Sequence, residues 1–308
     1  MRTLSRSLSV GLTAFLSVLL LGQLLAAAAT WQDKYPTVSF SVISSENEAD
    51  RIARHQKMIS YLEKTLGMKV KMHVATEYAG TIEAMKSGMV QFAQFGPASY
   101  AAAWEITGGN VEPFLAGTDS AGNVGYYSVI AVKVSSPFRS LDDLKGKTFA
   151  FADPNSTSGY LVPSFYLRRQ GYPSDKFFSK TGFSGSHENS ILAVLNGTYD
   201  AAATFWNDDR IGNVQRMEEK GMIPQGQIRF IWKSPKLPGD PVYVMNKSLP
   251  VELKTLIKTA LLTMPEADPA AWKDLTGGKY KTMKEVSHAD YVDIIEMRRE
   301  NLKDRRGN

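Results

Sequence analysis

The 308 residues are 43% hydrophobic and 10% aromatic and contain no cysteine, which excludes a disordered chain, a disulfide scaffold and a thiolate metal site. Lys and Arg outnumber Asp and Glu by 36 to 31, a net charge of +5, and setting aside Arg2 and Arg6 leaves a weak positive field suited to attracting a small anion. No run of six or more basic residues occurs, so nucleic acid is not an expected partner.

Residues 1–28 read as an export signal, with Arg2 and Arg6 as the positive region, Leu8 to Leu21 as the apolar core and Ala26 to Ala29 as the small-residue cleavage region. That core is shorter than the about 20 residues a spanning helix needs. The reading therefore predicts a cleaved leader and a soluble, exported mature chain.

Val38 to Ile43 alternates like a strand. The helix that follows repeats Ile52, His55, Ile59, Leu62 and Leu66 at about the 3.6-residue period and stops at Gly67. Lys69 to Ala75 is the next predicted strand, Thr81 to Lys86 a short helix, Val90 to Phe95 a strand, and Pro97 to Trp104 another helix. This alternation predicts an α/β fold with a mostly parallel sheet. Phe114 to Ala116 and the β-rich run Tyr126 to Val134 follow, the latter where the chain is expected to cross between lobes.

Thr148 to Ala152, Leu161 to Gln170, Glu188 to Leu195, Asp200 to Phe205 and Ile228 to Trp232 then read as strand, helix, helix, strand and strand. AGTIEAMKSGMVQFAQFG and NSILAVLNGTYDAAATFW share one layout of helix, glycine turn and small-residue strand, which implies two similar lobes. The Pro- and Gly-rich Pro235 to Pro241 fits a second crossing. The expected organisation is a first lobe of residues 29–127 plus 241–308 and a second of 128–240, including the hinge crossings. Helices at Val251 to Leu262 and His288 to Asn301 complete the first lobe, and Asp304 to Asn308 is expected to fray. Such a fold places its ligand in the cleft between lobes, where helix N-termini converge.

The sharpest local signal is Asp153-Pro154-Asn155-Ser156-Thr157-Ser158-Gly159 after a strand and before a helix. A single hydroxyl suffices for an N-cap. Three in succession, between Asn155 and Gly159, favour a site for a phosphate-like oxyanion. No lysine follows in a P-loop arrangement, which argues against a nucleotide. His187, just before a helix, is a further donor, stronger if protonated. Tyr78 and Phe95 are candidate cleft walls. Asp240, and Asn207, Asp208 and Asp209 after the strand ending at Phe205, are candidates for a cationic group on the ligand. No cofactor or metal is expected, because the four histidines match no ligand spacing. Ser156 or Ser158 with His187 and Asp240 has the composition of a triad, but no nucleophile elbow is present, so binding is preferred to catalysis.

DPNSTSGYLVP at Asp153 to Pro163, HEN at His187 to Asn189 and WKSPKLPGDP at Trp232 to Pro241, supported by EYAG at Glu77 to Gly80 and Phe95-Gly96, resemble the periplasmic phosphonate-binding components of bacterial ABC transporters. The likeness spans nearly the whole mature chain. It implies a type II periplasmic binding fold of two similar lobes with a two-strand hinge. It also implies that Ser156, Thr157 and Ser158 hold the phosphonate, with Tyr78, Phe95 and His187 around it. Of two family acids that grip a ligand ammonium, one falls on Asp240. The other, a glutamate, falls on Asn207, with Asp208 or Asp209 close by.

The function this implies is capture of a phosphonate, such as 2-aminoethylphosphonate or an alkylphosphonate, and its delivery to an ABC permease in the inner membrane. The alternatives are a phosphite- or phosphate-binding transport protein, a sensory subunit docking on a membrane receptor and, from another class, a secreted phosphoester hydrolase.

Overall fold

The computed structural model describes residues 30–278 and 280–307, so the export-signal reading at residues 1–28 lies outside them. Trp31–Lys34 forms a short helix, α1, begun at Thr30, whose side chain and backbone both bond to Asp33.

From Thr37 the chain alternates strand and helix: β1 (Thr37–Val42), α2 (Glu48–Leu66), β2 (Lys69–His73), α3 (Tyr78–Lys86), β3 (Phe92–Phe95), α4 (Pro97–Ile106) and β4 (Val111–Gly117). It then crosses to a second sheet through residues 118–126. That sheet contains β5 (Tyr127–Lys133), β6 (Thr148–Phe151), β7 (Lys180–Phe183), β8 (Ala201–Trp206) and β9 (Ile228–Lys233), with α5 (Val162–Arg169), α6 (Ser174–Phe177), α7 (His187–Leu195) and α8 (Asn213–Glu219) between them. Residues 234–241 cross back, and β10 (Val242–Asn246), α9 (Val251–Ala267), α10 (Pro269–Thr276), β11 (Met283–Glu285) and α11 (Val292–Gly307) complete the first lobe's elements.

The first sheet has the order β11-β4-β10-β3-β1-β2 and the second β7-β6-β8-β5-β9. Both are mixed, which corrects the mostly parallel expectation. β1 runs parallel to β2 and β3, but β10 is antiparallel to β3 and β4. β6 runs parallel to β7 and β8, but β5 is antiparallel to β8 and β9. In each sheet, a strand delivered directly by a crossing enters the middle against the direction set by the βαβ units. The crossings are tied side by side, Leu237 N–H donating to the Tyr126 carbonyl at 2.8 Å and Gly117 N–H to that of Pro241 at 3.0 Å.

Helix α2 begins because the Asn47 side chain accepts the Asp50 N–H, and ends because Gly67 adopts φ 66°, a left-handed C-cap that glycine tolerates without a Cβ clash. Its buried face is Arg51, His55, Met58, Tyr61 and Leu62, a register displaced from the predicted Ile52, Ile59 and Leu66. The displacement follows from Arg51, which is buried with its guanidinium donating to the Ala75 carbonyl at 2.8 Å. It turns Arg54, one helical turn from Lys57, toward the space between the sheets.

Helix α11 lies against both lobes. Arg298 pairs with Glu105 of α4 at 3.1 Å, while Arg168 of α5 holds Asn301 and Asp304. The helix runs through Gly307, so the expected fraying from Asp304 onward is replaced by an ion-paired helical end.

Candidate ligand-binding site

The site is built outward from the end of β6. Ala152 N–H donates to the Gly159 carbonyl at 2.9 Å and the Asp153 side chain accepts the Asn155 N–H at 2.7 Å, which folds the segment into a tight turn. The Ser156 hydroxyl then accepts the Gly159 N–H at 3.0 Å and caps a single π-type turn, Thr157–Leu161, that runs into α5. Such a cap stabilises a helix start by about 1 kcal/mol. Gly159 is required by space: a Cβ there would lie 2.5 Å from the Ala152 Cβ, 2.8 Å from the Ser156 hydroxyl and 2.9 Å from His187 Cε1.

Because Ser156 does the capping, Thr157 and Ser158 are available for other work. Thr157 Oγ1 accepts the Ala98 N–H of α4 at 2.8 Å, a bond between lobes that leaves its own proton to donate. Ser158 is anchored through its carbonyl, which accepts from the Ser128 hydroxyl at 2.7 Å. All three hydroxyl residues are buried and line one cavity of about 60 Å³, where a single water takes about 10–15 Å³ on the same measure.

The first lobe closes the cavity with Tyr78, the first residue of α3, and with Phe95 at the end of β3. Burial, with Asp153 and Asp240 nearby, raises the Tyr78 phenol far above its ordinary range, so it remains a hydrogen-bond donor at neutral pH.

His187 is the first residue of α7 rather than a loop residue. Its Nε2 meets the Ser156 hydroxyl at 3.2 Å and its Nδ1 the Thr204 hydroxyl at 3.2 Å. Burial, with a contribution from Arg216, lowers its pKa to about 3. The ring is neutral here, and the protonated donor considered from sequence is not the form this site stabilises.

Asp240 comes from the second crossing. The position a Cβ on Gly96 would occupy is 3.1 Å from Thr157 Oγ1 and 3.4 Å from Asp240 Oδ1, so the carboxyl stands beside the hydroxyl turn. Burial raises its pKa to about 7 against the opposing pull of Arg216 and Arg54.

The structure thus brings together Tyr78, Phe95, Ser156, Thr157, Ser158, His187 and Asp240 on one cavity. Asn207 and Asp208 are not among the residues lining it. The chain turns at the end of β8, with Asn207 N–H donating to the Ile211 carbonyl. The Asp208 carboxylate accepts the N–H groups of Arg210 and Ile211 and the hydroxyl of Ser120 in the first crossing. Asp209 is exposed. The acids after β8 serve their turn and the crossing.

Sequence reasoning missed Tyr126 and Tyr280, and also Arg54, Phe205 and Arg216, all of which line the cavity. A signal existed for Phe205. In the two matching segments Phe95 and Phe205 hold the same place, each the next-to-last residue, and the two lobes present them to the same space. Phe205 also meets the His187 ring edge-on at 5.1 Å and carries the Arg216 guanidinium 5.5 Å from its centroid.

Around Arg54 and Arg216 lies a charged cluster joining the lobes. Glu46, fully buried, pairs with Arg54 of α2 and with Arg216 and Lys220 at 3.5 and 3.2 Å. Burial alone would raise its pKa, but these three cations hold it down at about 2. Lys220 also reaches Asp50 at 2.7 Å, and the Asn47 N–H donates to Glu188 of α7 at 2.8 Å.

A family model described as ABC transporter, phosphonate, periplasmic substrate-binding protein matches residues 40–291. The chain belongs to this family. Among its relatives, the phosphonates-binding periplasmic protein of Escherichia coli is 34% identical over 240 residues, covering 77% of this chain and 68% of that protein. The phosphate-import protein PhnD of Mycolicibacterium smegmatis is 34% identical over 253 residues, covering 77% of each. A solved binding-protein component of an ABC phosphonate transporter from Pseudomonas aeruginosa superposes with a TM-score of 0.76 at 27% identity, over 85% of both chains. The two-lobed architecture is the type II periplasmic binding fold, as the sequence reading expects.

Proposed function

We propose that this family member captures an organophosphonate in the periplasm and delivers it to an ABC permease in the inner membrane. The observation that carries this reading is the buried Ser156-Thr157-Ser158 turn, facing Tyr78 and Asp240 across a cavity of about 60 Å³. Neutral O–H and N–H donors converge there, as a tetrahedral PO₃ group with several acceptor oxygens requires. Asp240, protonated up to about pH 7, donates to one of those oxygens. Its place beside the hydroxyl turn supports a role at the oxyanion over one at a ligand ammonium. Closure excludes water from these bonds and shapes the surface offered to the permease.

Hydrolysis fits the same atoms poorly. Ser156 and His187 are within bonding distance, but a histidine with a pKa of about 3 is a weak base at neutral pH. Its second nitrogen faces Thr204, where a triad needs a carboxylate.

A second reading, phosphite or phosphate as ligand, is favoured by the small cavity and by the M. smegmatis relative's name. Calorimetric titration of refolded, ligand-stripped protein with ethylphosphonate, phosphite and phosphate separates the two. Ethylphosphonate is expected to bind the tightest, and Thr157→Ala to weaken every phosphonate by about tenfold, the value of one lost hydrogen bond of about 1.4 kcal/mol. Tighter binding of phosphite or phosphate transfers the assignment to that ligand. Turnover of a chromogenic phosphoester overturns the binding reading.

A further inference from the structure

The cavity at the hydroxyl turn accommodates little more than a PO₃ group, so a substituent on phosphorus has to leave it. A second cavity of about 290 Å³ adjoins the first, and Arg54, Phe205, Arg216 and Tyr280 line both. These four side chains form the partition between a small anion chamber and a larger antechamber, and any substituent passing from one to the other passes between two guanidinium groups.

Both arginines are held in place but incompletely satisfied. Arg216 is fixed by the Phe205 ring and by the Asn213 side chain at 3.1 Å, and its approaches to Glu46 and Glu188 are long, at 3.5 and 3.8 Å. Arg54 pairs with Glu46 through one terminal nitrogen. In each, the Nε–H is buried without a hydrogen-bond partner among the described residues, and leaving a donor of a charged group unpaired is costly. Their charge also reaches the anion chamber, since both oppose the upward shift of Asp240.

We propose that Arg54 and Arg216, at the partition and nearer the anion chamber than the acids Asp50 and Asp274 that line the antechamber alone, form a second recognition point that selects phosphonates whose substituent carries a carboxylate. The assignment rests on the phosphonate reading above. The PO₃ group sits on Ser156, Thr157 and Ser158, the carbon chain passes Phe205 and Tyr280, and the carboxylate accepts from the two guanidinium groups. Charge-assisted bonds of this kind are about twice as strong as neutral ones, so the substituent contributes affinity that an alkyl group of the same length does not.

The test compares 3-phosphonopropionate, ethylphosphonate and 2-aminoethylphosphonate by calorimetry on the full mature chain, stripped of ligand. The carboxylate ligand is expected to bind about tenfold or more tighter than both ethylphosphonate and 2-aminoethylphosphonate. Arg216→Gln and, independently, Arg54→Gln are expected to erase most of that advantage, lowering the ratio of 3-phosphonopropionate to ethylphosphonate affinity by about tenfold, whatever loss both ligands share through closure. Equal binding of 3-phosphonopropionate and ethylphosphonate by the wild-type protein overturns the arginine assignment and leaves the phosphonate reading intact. Equal losses for both ligands in the variants also overturn it, because the arginines then serve closure alone. Absence of binding to all three phosphonates overturns the phosphonate reading, and this inference with it. The wild-type comparison decides the matter even where a variant fails to fold.

Discussion

Two walls of the same cavity are built on opposite principles. The Ser156–Gly159 turn holds its place with neutral groups, its donors fixed by capping, by a glycine with no room for a Cβ and by carbonyl anchors. The wall around Glu46, Arg54 and Arg216 is held by ions that meet across the lobes and lose water when they do. The capping and anchoring bonds of the turn lie within one lobe, and only Thr157, through the Ala98 N–H, ties it to the other. Ion pairs that span the lobes require the lobes to be together, so their energy favours whichever conformation brings the lobes into contact.

The largest expected effect breaks the ionic wall. Glu46→Gln leaves Arg216 and Lys220 without their buried partner and should destabilise the closed protein by about 3 kcal/mol near neutral pH. Because the folded pKa of Glu46 is about 2, below its ordinary 4.5, its stabilisation is fully present above about pH 4.5 and is lost as pH falls toward 2. Urea melts of wild type and variant should therefore converge in acid. A gap that stays constant to the lowest pH at which the protein folds assigns Glu46 a packing role alone.

A smaller effect is expected from Gly159→Ala, which attacks the neutral wall. The added methyl group meets Ala152, Ser156 and His187 at less than 3.0 Å, and relieving such crowding costs about 1–3 kcal/mol. The loss should appear as weaker binding of every phosphonate tested, whatever its substituent. Unchanged affinity in calorimetry shows that the turn adapts and is less rigid than its bonding implies.

The smallest effect sharpens the boundary between the walls. Asp240 stands beside the neutral turn and feels the charge of both arginines. Its raised pKa of about 7 means that the protonated form prevails below that value and the carboxylate above it. Affinity for ethylphosphonate should fall by a factor of a few as pH rises from about 6 to about 8, as the ionised carboxylate repels the ligand. Asp240→Asn should remove that step, leaving only the ligand's own titration; an identical pH profile in the variant shows that Asp240 does not titrate in the site.

The neutral wall was the legible one. Ser156, Thr157 and Ser158 are consecutive, and capping chemistry acts over three residues, so a local reading finds them. Asp240 was reached through the Pro- and Gly-rich crossing, and the paired segments predicted two lobes. The ionic wall is assembled from distant residues, Glu46 pairing with Arg216 and with Lys220, which is 174 positions away. Nothing local marks an arginine as facing a cavity. Helix α8, which carries Arg216, is only seven residues long and passed unread. Asn207 and Asp208 stand outside the cavity lining for a related reason. The strand ends at Trp206 and the backbone takes up a turn that consumes the next carboxylate. The mixed sheets were also illegible locally, because β10 is placed by the return of the chain from the other lobe.

The last helix gives the molecule a mechanical character that its two crossings alone do not. A pair of strands joining two bodies leaves a single easy axis of rotation. Helix α11, gripped by Glu105 on one side and Arg168 on the other, adds a third attachment away from that axis. It works as a stay: parting the lobes has to slide or release one flank of the helix. Trimming the chain after Met297, which removes both grips, is therefore expected to alter how far the jaws travel and how quickly they shut, as scattering and stopped-flow fluorescence would read, without removing a residue that lines the cavity.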